Sequence, residues 1–165
     1  MTAAMGAPRQ RRRLGLALAF ALVLPTLSGC DALRAQKADI FITREATIFL
    51  DPPPTETGEA ILTIENDDDA EHRPLIIRLD EGTSMAELEV GEDGRLDVGR
   101  PIDLEFQGDG YRVVAKLDTM RPYYGQSTRI KTVVHVHLRQ GMYAIVDNLP
   151  GGIDAGTFAV FEVTA

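Results

Sequence analysis

Residues 142–163 read MYAIVDNLPGGIDAGTFAVFEV, and they contain two apolar segments separated by a turn-forming cluster. Residues 142–147 and 158–163 are rich in β-branched, aromatic and other apolar side chains, a composition that favours strands. Between them, residues 148–152 (NLPGG) include Pro and Gly, which belong to turns rather than to strand interiors. The stretch therefore predicts two β-strands joined by a loop.

The same pattern of strands and turns continues towards the amino terminus. Apolar side chains recur with a period of two, and Gly, Pro and Asp separate the segments. Further strands are predicted at residues 39–50, 58–66, 74–79, 102–106, 111–117 and 129–138. Residues 85–98 alternate around a Glu-Asp-Gly turn and predict a hairpin, and Gly108-Asp109-Gly110 predicts another.

The strand at residues 74–79 is predicted to be half-buried. Leu75, Ile77 and Leu79 would share one face, with Ile76 and Arg78 on the other. No stretch shows an apolar stripe of helical period longer than two turns. About eight short strands with closely spaced turns predict an all-β sandwich or barrel.

Two segments carry a resemblance to a known family. Residues 139–163 resemble the end of cupredoxins, where a strand enters a copper loop of the form C-x-x-P-G-H-x-x-A-G-M before the last strand. Residues 62–66 (LTIEN), followed by His72 and residues 75–77 (LII), resemble the segment that holds the first copper-binding His. The resemblance implies a cupredoxin-like Greek-key β-sandwich of about eight strands over residues 39–165.

The same comparison implies that the copper ligands are mostly missing. Asp147 stands at the position of the Cys, Gly152 at that of the second His, and Thr157 at that of the Met, so only His72 could correspond to a ligand. A type 1 copper centre requires a thiolate and two imidazoles. We therefore expect no copper site and no cofactor. Because loops gather at one end of this fold, we expect binding-loop residues at Asp147, Asn148, Gly152, Asp154 and Thr157.

The first 29 residues have the layout of an export signal. Four Arg are followed by a short apolar run, residues 14–24, which as a helix would span only about 16 Å, well short of a ~30 Å hydrocarbon core. The next small residues are Leu27-Ser28-Gly29-Cys30, which resemble the lipobox of bacterial lipoproteins. The resemblance implies cleavage before Cys30 and acylation of Cys30, including its sulfur, with fatty acids such as palmitate. Residues 30–38 would then form the lipidated Cys and a short tether.

Charge and cysteine content restrict the function classes. Beyond residue 29 the chain carries 13 basic and 25 acidic residues, a net charge of -12. Nucleic-acid binding is not expected, because it needs clustered Lys and Arg. Cys30 is the single cysteine, so no internal disulfide can form and the thiol is available for lipid. Two or more acyl chains hold a protein firmly at a membrane.

Two other clusters allow competing interpretations. His135 and His137 lie two apart on a predicted strand, about 7 Å from each other, and could chelate a metal, with Met85, Met120 and Met142 adding sulfur ligands. Alternatively, both His belong to a solvated face and the Met side chains fill the core. Five acids lie at residues 65, 67, 68, 69 and 71 and could hold Ca²⁺. We favour a solvated loop instead, because the spacing of a calcium-binding loop is missing.

An enzyme is not expected, because no nucleophile elbow or phosphate-binding loop is found. The sequence favours a lipid-anchored protein outside the cytoplasm, on the cell membrane or the outer membrane. Its domain would be a non-catalytic binding or accessory module for an unidentified envelope protein or small ligand. The alternative is a periplasmic copper-binding or copper-handling protein that uses His72, His135, His137 and Met residues.

Overall fold

The computed structural model describes residues 35–99, 106–121 and 131–165. The predicted leader (residues 1–29) and Cys30 lie outside the described residues, as does most of the strand predicted at residues 102–106. Within the described part of the chain, no helix is long and apolar enough to cross a membrane.

Nine strands and one 3-10 helix, Met85–Glu87, form the described structure. The strands are β1 Gln36–Ile42, β2 Ile48–Asp51, β3 Gly58–Asn66, β4 Pro74–Leu79, β5 Phe106–Gln107, β6 Tyr111–Lys116, β7 Lys131–Leu138, β8 Gly141–Asp147 and β9 Phe158–Val163. They make a four-stranded sheet of order β2-β1-β3-β7 and a five-stranded sheet of order β5-β6-β4-β8-β9. β1 and β3 run parallel, and the other pairs of neighbouring strands are antiparallel. The predicted all-β sandwich is confirmed, with nine described strands rather than about eight.

The main core lies between the two sheets. Its fully buried members include Ile40 and Leu62 from the first sheet and Ile76, Tyr143 and Ile145 from the second. Each such aliphatic side chain contributes about 1.5–3 kcal/mol when it is removed from water. The core residues fall between Ala38 and Val163, so a fragment of residues 31–165 contains the whole described core, and we expect it to fold on its own.

A second cluster covers the outer face of the five-stranded sheet. Leu75, Ile77 and Val146 point away from the first core and pack against Leu88 and Leu96. Residues 85–98 therefore do not form the predicted hairpin: they make the 3-10 helix and then an irregular segment that lies over the sheet. As a result β4 is buried on both faces apart from Arg78, which corrects the prediction of a half-buried strand.

The first strand region also differs from the prediction. Residues 39–50 do not form one strand but parts of β1 and β2, joined by a turn in which the amide of Ala46 donates to the carbonyl of Thr43 at 2.9 Å. Ala46 has φ 53°, a left-handed conformation that sequence patterns for Ala do not indicate. β1 begins at Gln36, so the last three residues of the predicted tether belong to the sheet.

The two ends of the sandwich differ in what they contain. At one end, which we call the site end, β3 ends at Asn66, β4 begins at Pro74 and β8 ends at Asp147. At the other, the tether end, β1 begins at Gln36, which pairs with Ala60 near the start of β3. The last residue of β7, Leu138, pairs with Gly58 at this same end.

Candidate functional site

The site end brings together His72 and Asp147, which are 75 positions apart in the chain. β4 and β8 are antiparallel neighbours in which Pro74 pairs with Asp147. This register places the residue that ends β8 beside the residues that lead into β4. His72 is fixed by a two-way backbone bridge to Met120, with N···O distances of 3.0 and 2.7 Å.

The His72 ring lies between two carboxylates. Its Nδ1 is 2.9 Å from Oδ2 of Asp147, and its Nε2 is 3.0 Å from Oδ2 of Asp68. His72 is 3% exposed, Asp147 4% and Asp68 8%. Because carboxylate oxygens accept hydrogen bonds, both ring nitrogens act as donors, which is the state of the charged imidazolium. We call Asp68, His72 and Asp147 the buried triad.

The protonation of His72 follows from these contacts. Burial alone would lower the pKa of His72 by disfavouring the charged ring. The hydrogen bonds and negative charges of Asp147 and Asp68 outweigh it, and they raise the pKa above the ordinary value of 6.5. The contacts of the triad therefore favour the charged form of His72, which lies between two carboxylates.

Backbone amides hold the Asp147 carboxylate in place. The Arg73 amide donates to its Oδ1 at 2.8 Å, and the Leu149 amide donates to the same oxygen at 3.3 Å. Oδ2 is left for His72. Both oxygens of Asp147 are thus occupied within the protein, which makes this carboxylate part of the structure rather than an open ligand.

Asn66 organises the loop that carries Asp68. Its amide nitrogen donates to the carbonyls of Ala70, Met120 and Arg121 at 2.9–3.3 Å. Its Oδ1 accepts from the Asp68 amide at 2.9 Å. A buried side-chain amide with this many partners fixes the turn that points Asp68 towards His72.

The acidic run is a solvated loop only in part. Asp69 and Glu71 are exposed, but Asp68 belongs to the buried triad and Glu65 is 4% exposed and forms an ion pair with Lys131. The prediction that the whole run is solvated is wrong for these two residues. The spacing of four between Asp68 and His72 was the available signal, but five acids in seven positions do not reveal which of them turns inward.

The predicted binding loop is largely internal. Asn148 is 5% exposed, and its side chain forms two hydrogen bonds with the backbone of Leu96, at 2.8 and 3.2 Å. Thr157 is 3% exposed, and its carbonyl accepts from the Asp147 amide at 2.9 Å. Of the five loop candidates, Asp154 is exposed and Gly152 is partly exposed. The loop is a compact unit whose accessible part lies around Asp154.

The residues of the site end do not fit a copper ion of the cupredoxin type. Asp147 supplies an oxygen where a thiolate is needed, and both nitrogens of His72 are hydrogen-bonded to carboxylates. Gly152, at the position of the second His, has no room for a side chain, because an added Cβ would lie 2.4 Å from the carbonyl oxygen of Asp147. Two members of the buried triad, His72 and Asp147, stand at positions that the resemblance assigns to copper ligands.

The other predicted metal ligands are not brought together with His72. His135 and His137 are exposed on β7, opposite Ile61 and Glu59, and Nδ1 of His137 is 2.8 Å from Oε1 of Glu59. Met120 and Met85 are buried in the two cores, whereas Met142 is 39% exposed. Among residues 35–99, 106–121 and 131–165, no three His, Cys, Asp or Glu side chains form a group that could hold a metal ion.

Two grooves lie beside the buried triad. Both are lined by Arg73, Val98 and Asn148, and their volumes are about 350 and 440 Å³. The smaller groove also contains Lys116 and Leu75, so it combines charged and apolar walls. Volumes of this order are typical of small-ligand sites. Of the five predicted loop residues, Asn148 lines both grooves.

Comparisons with known proteins bear on the fold. No family model matches the chain, and no curated protein matches its sequence. A reduced auracyanin from the photosynthetic bacterium Roseiflexus castenholzii matches 79% of this chain and 98% of its own, with a TM-score of 0.51 and 14% identity. Rusticyanin from Thiobacillus ferrooxidans matches 78% of this chain and 76% of its own, with a TM-score of 0.52 and 12% identity. Since these structural neighbours are cupredoxins, the chain has a cupredoxin-like fold.

Proposed function

We propose that this protein is a lipid-anchored lipoprotein of the bacterial cell envelope, whose cupredoxin-like domain is a non-catalytic binding or accessory module without a type 1 copper site. The observation that carries the proposal is the buried triad. The centre of the site end is occupied by the ring of His72, which lies 2.9 and 3.0 Å from Asp147 and Asp68, and the raised pKa of His72 favours the imidazolium. An imidazolium with both nitrogens bonded offers no lone pair to a metal.

The triad supports a structural role for His72 and Asp147, which stand at positions that the resemblance assigns to copper ligands. It links the loop before β4 to the end of β8 through charged hydrogen bonds, which are stronger than neutral ones. The grooves along Arg73 and Asn148 would then be held in a fixed shape. A small ligand or a segment of an envelope partner is the occupant that we propose for them, with membrane attachment through lipid on Cys30.

A metal titration tests the proposal against its alternative. The domain of residues 31–165 is titrated with Cu(I), Cu(II) and Zn(II) by isothermal titration calorimetry, and we expect no sub-micromolar binding. The alternative, a copper-handling protein, predicts sub-micromolar binding that is lost in His135→Ala and His137→Ala, the two imidazoles that are exposed on β7. Such a result would replace the proposed function. Met120→Leu serves as the control: Met120 is buried, at 2% exposure, so its replacement should leave any metal binding by the exposed imidazoles unchanged.

Lipid anchoring is tested on the full chain expressed in a bacterium. We expect incorporation of labelled palmitate and a mature amino terminus at Cys30, with both lost in Cys30→Ala. Since Cys30 is the single cysteine, label cannot enter on another thiol. An unlabelled protein, or one whose mature chain starts at another residue, would contradict the anchoring.

A further inference from the structure

A groove of about 510 Å³ lies towards the tether end, away from the buried triad. It lies between β6 of one sheet and β7 of the other, and its walls include Arg78, Arg112, Arg139, His135 and His137. The remaining walls are formed by Val113, Val114, Val136 and Tyr143, so no carboxylate lines it. In a chain with a net charge of -12 beyond residue 29, such a gathering of basic residues is the reverse of the average composition.

Two of the arginines lie directly opposite each other. Arg78 on β4 pairs in register with Arg112 on β6 and, on its other side, with Tyr143 on β8. Directly opposed residues share a face of the sheet, and Tyr143 belongs to the core between the sheets. Arg78 and Arg112 therefore lie on the inner face, at the margin of the core. Like charges in such positions destabilise a sheet unless an anion lies between them.

Among the described residues, Arg112 is linked to the carboxylate of Asp80 only through Gln107. Nε of Arg112 donates to Oε1 of Gln107 at 3.0 Å, and the Gln107 amide in turn donates to Oδ2 of Asp80 at 3.2 Å. A neutral amide thus separates this guanidinium from the carboxylate. The Gln107 contact orients Arg112 while leaving its charge available to a ligand.

Arg78 is held in a fixed position. Its Nη2 donates to the carbonyl of Gln140 at 2.7 Å, and its guanidinium packs against Gly141, where an added Cβ would lie 2.9 Å from Nε. Nε is buried and has no hydrogen-bond partner among the described residues. Such orphaned buried donors are rare and costly, and they mark places where a further group completes the structure.

The third arginine is positioned by its backbone. The amide of Arg139 donates to the hydroxyl of Tyr143 at 2.8 Å, and this hydroxyl donates to the Arg139 carbonyl at 2.9 Å. The turn between β7 and β8 is thereby fixed, and the exposed Arg139 side chain starts from the rim of the groove.

We propose that this groove binds a phosphate group. Guanidinium groups match the oxygens of a phosphate in paired hydrogen bonds, and three of them at one groove suit a multiply charged oxyanion. Two sources share this chemistry: a soluble phosphate ester, or the headgroup of an anionic phospholipid. The lipid source rests on the proposed anchoring, since six residues from Cys30 to Gln36 reach at most about 20 Å from the membrane. Phosphate binding by the groove does not depend on the proposed anchoring.

The test uses the unlipidated domain of residues 31–165, so that its outcome is independent of Cys30. One arm measures pyrophosphate binding by calorimetry. The other measures cosedimentation with vesicles of phosphatidylglycerol, compared with vesicles of phosphatidylcholine. We expect binding in at least one arm, weakened about tenfold or more in each of Arg112→Gln and Arg139→Gln, since each removes a charged hydrogen bond.

Arg44→Gln is the matched control, because it removes the same charge from an exposed position in the turn between β1 and β2 at the site end. Binding of pyrophosphate alone identifies a soluble phosphate ester as the source, and selective binding of phosphatidylglycerol vesicles identifies the membrane. Absence of binding in both arms overturns the proposal. Equal binding by the groove variants and by Arg44→Gln also overturns it.

Discussion

Replacing His72 by Ala is expected to lower the free energy of unfolding of the 31–165 domain by about 3–5 kcal/mol. The substitution removes the imidazolium but leaves the carboxylates of Asp68 and Asp147 buried, at 8% and 4% exposure. A buried charge without its counterion costs more than the pair contributed. Urea denaturation at pH 6, followed by circular dichroism, measures the change.

The chain offers a matched control in His137. Its Nδ1 also contacts a carboxylate, Oε1 of Glu59, at 2.8 Å, but the two side chains are 62% and 65% exposed. An exposed pair of this kind contributes about 0–1 kcal/mol. His137→Ala should therefore change stability little. Similar losses in the two variants would contradict the interpretation of the triad as a buried ion pair.

The pH dependence gives a second readout of the same prediction. Because the pKa of His72 is raised in the folded state above 6.5, the contribution of its charge to stability is fully present below pH 6.5. Above that pH the unfolded chain loses the proton first, and the contribution declines until the pH passes the raised pKa of the folded state. His72→Ala should flatten this decline, whereas His137→Ala should retain it.

Replacing Gly152 by Ala is expected to destabilise the domain by about 1–3 kcal/mol, the range for side chains forced into packed regions. The added methyl would lie 2.4 Å from the carbonyl oxygen of Asp147, a backbone atom that cannot turn aside as a flexible side chain does. The loop from β8 to β9 would have to shift, and Asp147 with it. Thermal denaturation of the purified domain measures the effect.

Gly91→Ala is the control for that substitution. Its Cβ would lie 3.2 Å from Oδ1 of Asp93, the end of a side chain that can move. A stability loss at Gly152 no greater than at Gly91 would be contrary to our expectation. It would mean that the loop can accommodate a side chain at the position that the resemblance to cupredoxins assigns to the second His.

Several strands could be predicted to the residue. β3, β4 and β9 have the bounds that the alternation and the flanking turn residues indicate: Gly58–Asn66, Pro74–Leu79 and Phe158–Val163. Period-two patterning and Pro or Gly at the boundaries are local properties, so they can be read without knowledge of the fold. The turn at Gly108-Asp109-Gly110 is of the same kind, and Gly110 has φ 78°.

The prediction of a hairpin at residues 85–98 was wrong for a physical reason. Leu88 and Leu96 are buried, as the pattern indicates, but against the outer face of the five-stranded sheet rather than in a hairpin. An apolar side chain indicates that its position is buried, but it does not indicate which element covers that position. The sequence did contain a local signal against a strand, because Ser84 is followed three positions later by Glu87, a spacing typical of a helix start. In the structure, Glu87 Oε2 accepts from the Ser84 amide at 2.8 Å.

The sequence alone was sufficient for most of the strands, the cupredoxin-like pattern and the lack of a Cys at position 147, because these depend on residue type and short-range spacing. The enclosure of His72 by Asp68 and Asp147 became visible only in the folded structure. The same is true of the meeting of Arg78, Arg112 and Arg139 at one groove. Apart from the contact between Asp68 and His72, these contacts join residues far apart in the chain. They follow from strand register and from which charges are removed from water, and neither property is encoded by the spacing of neighbouring residues.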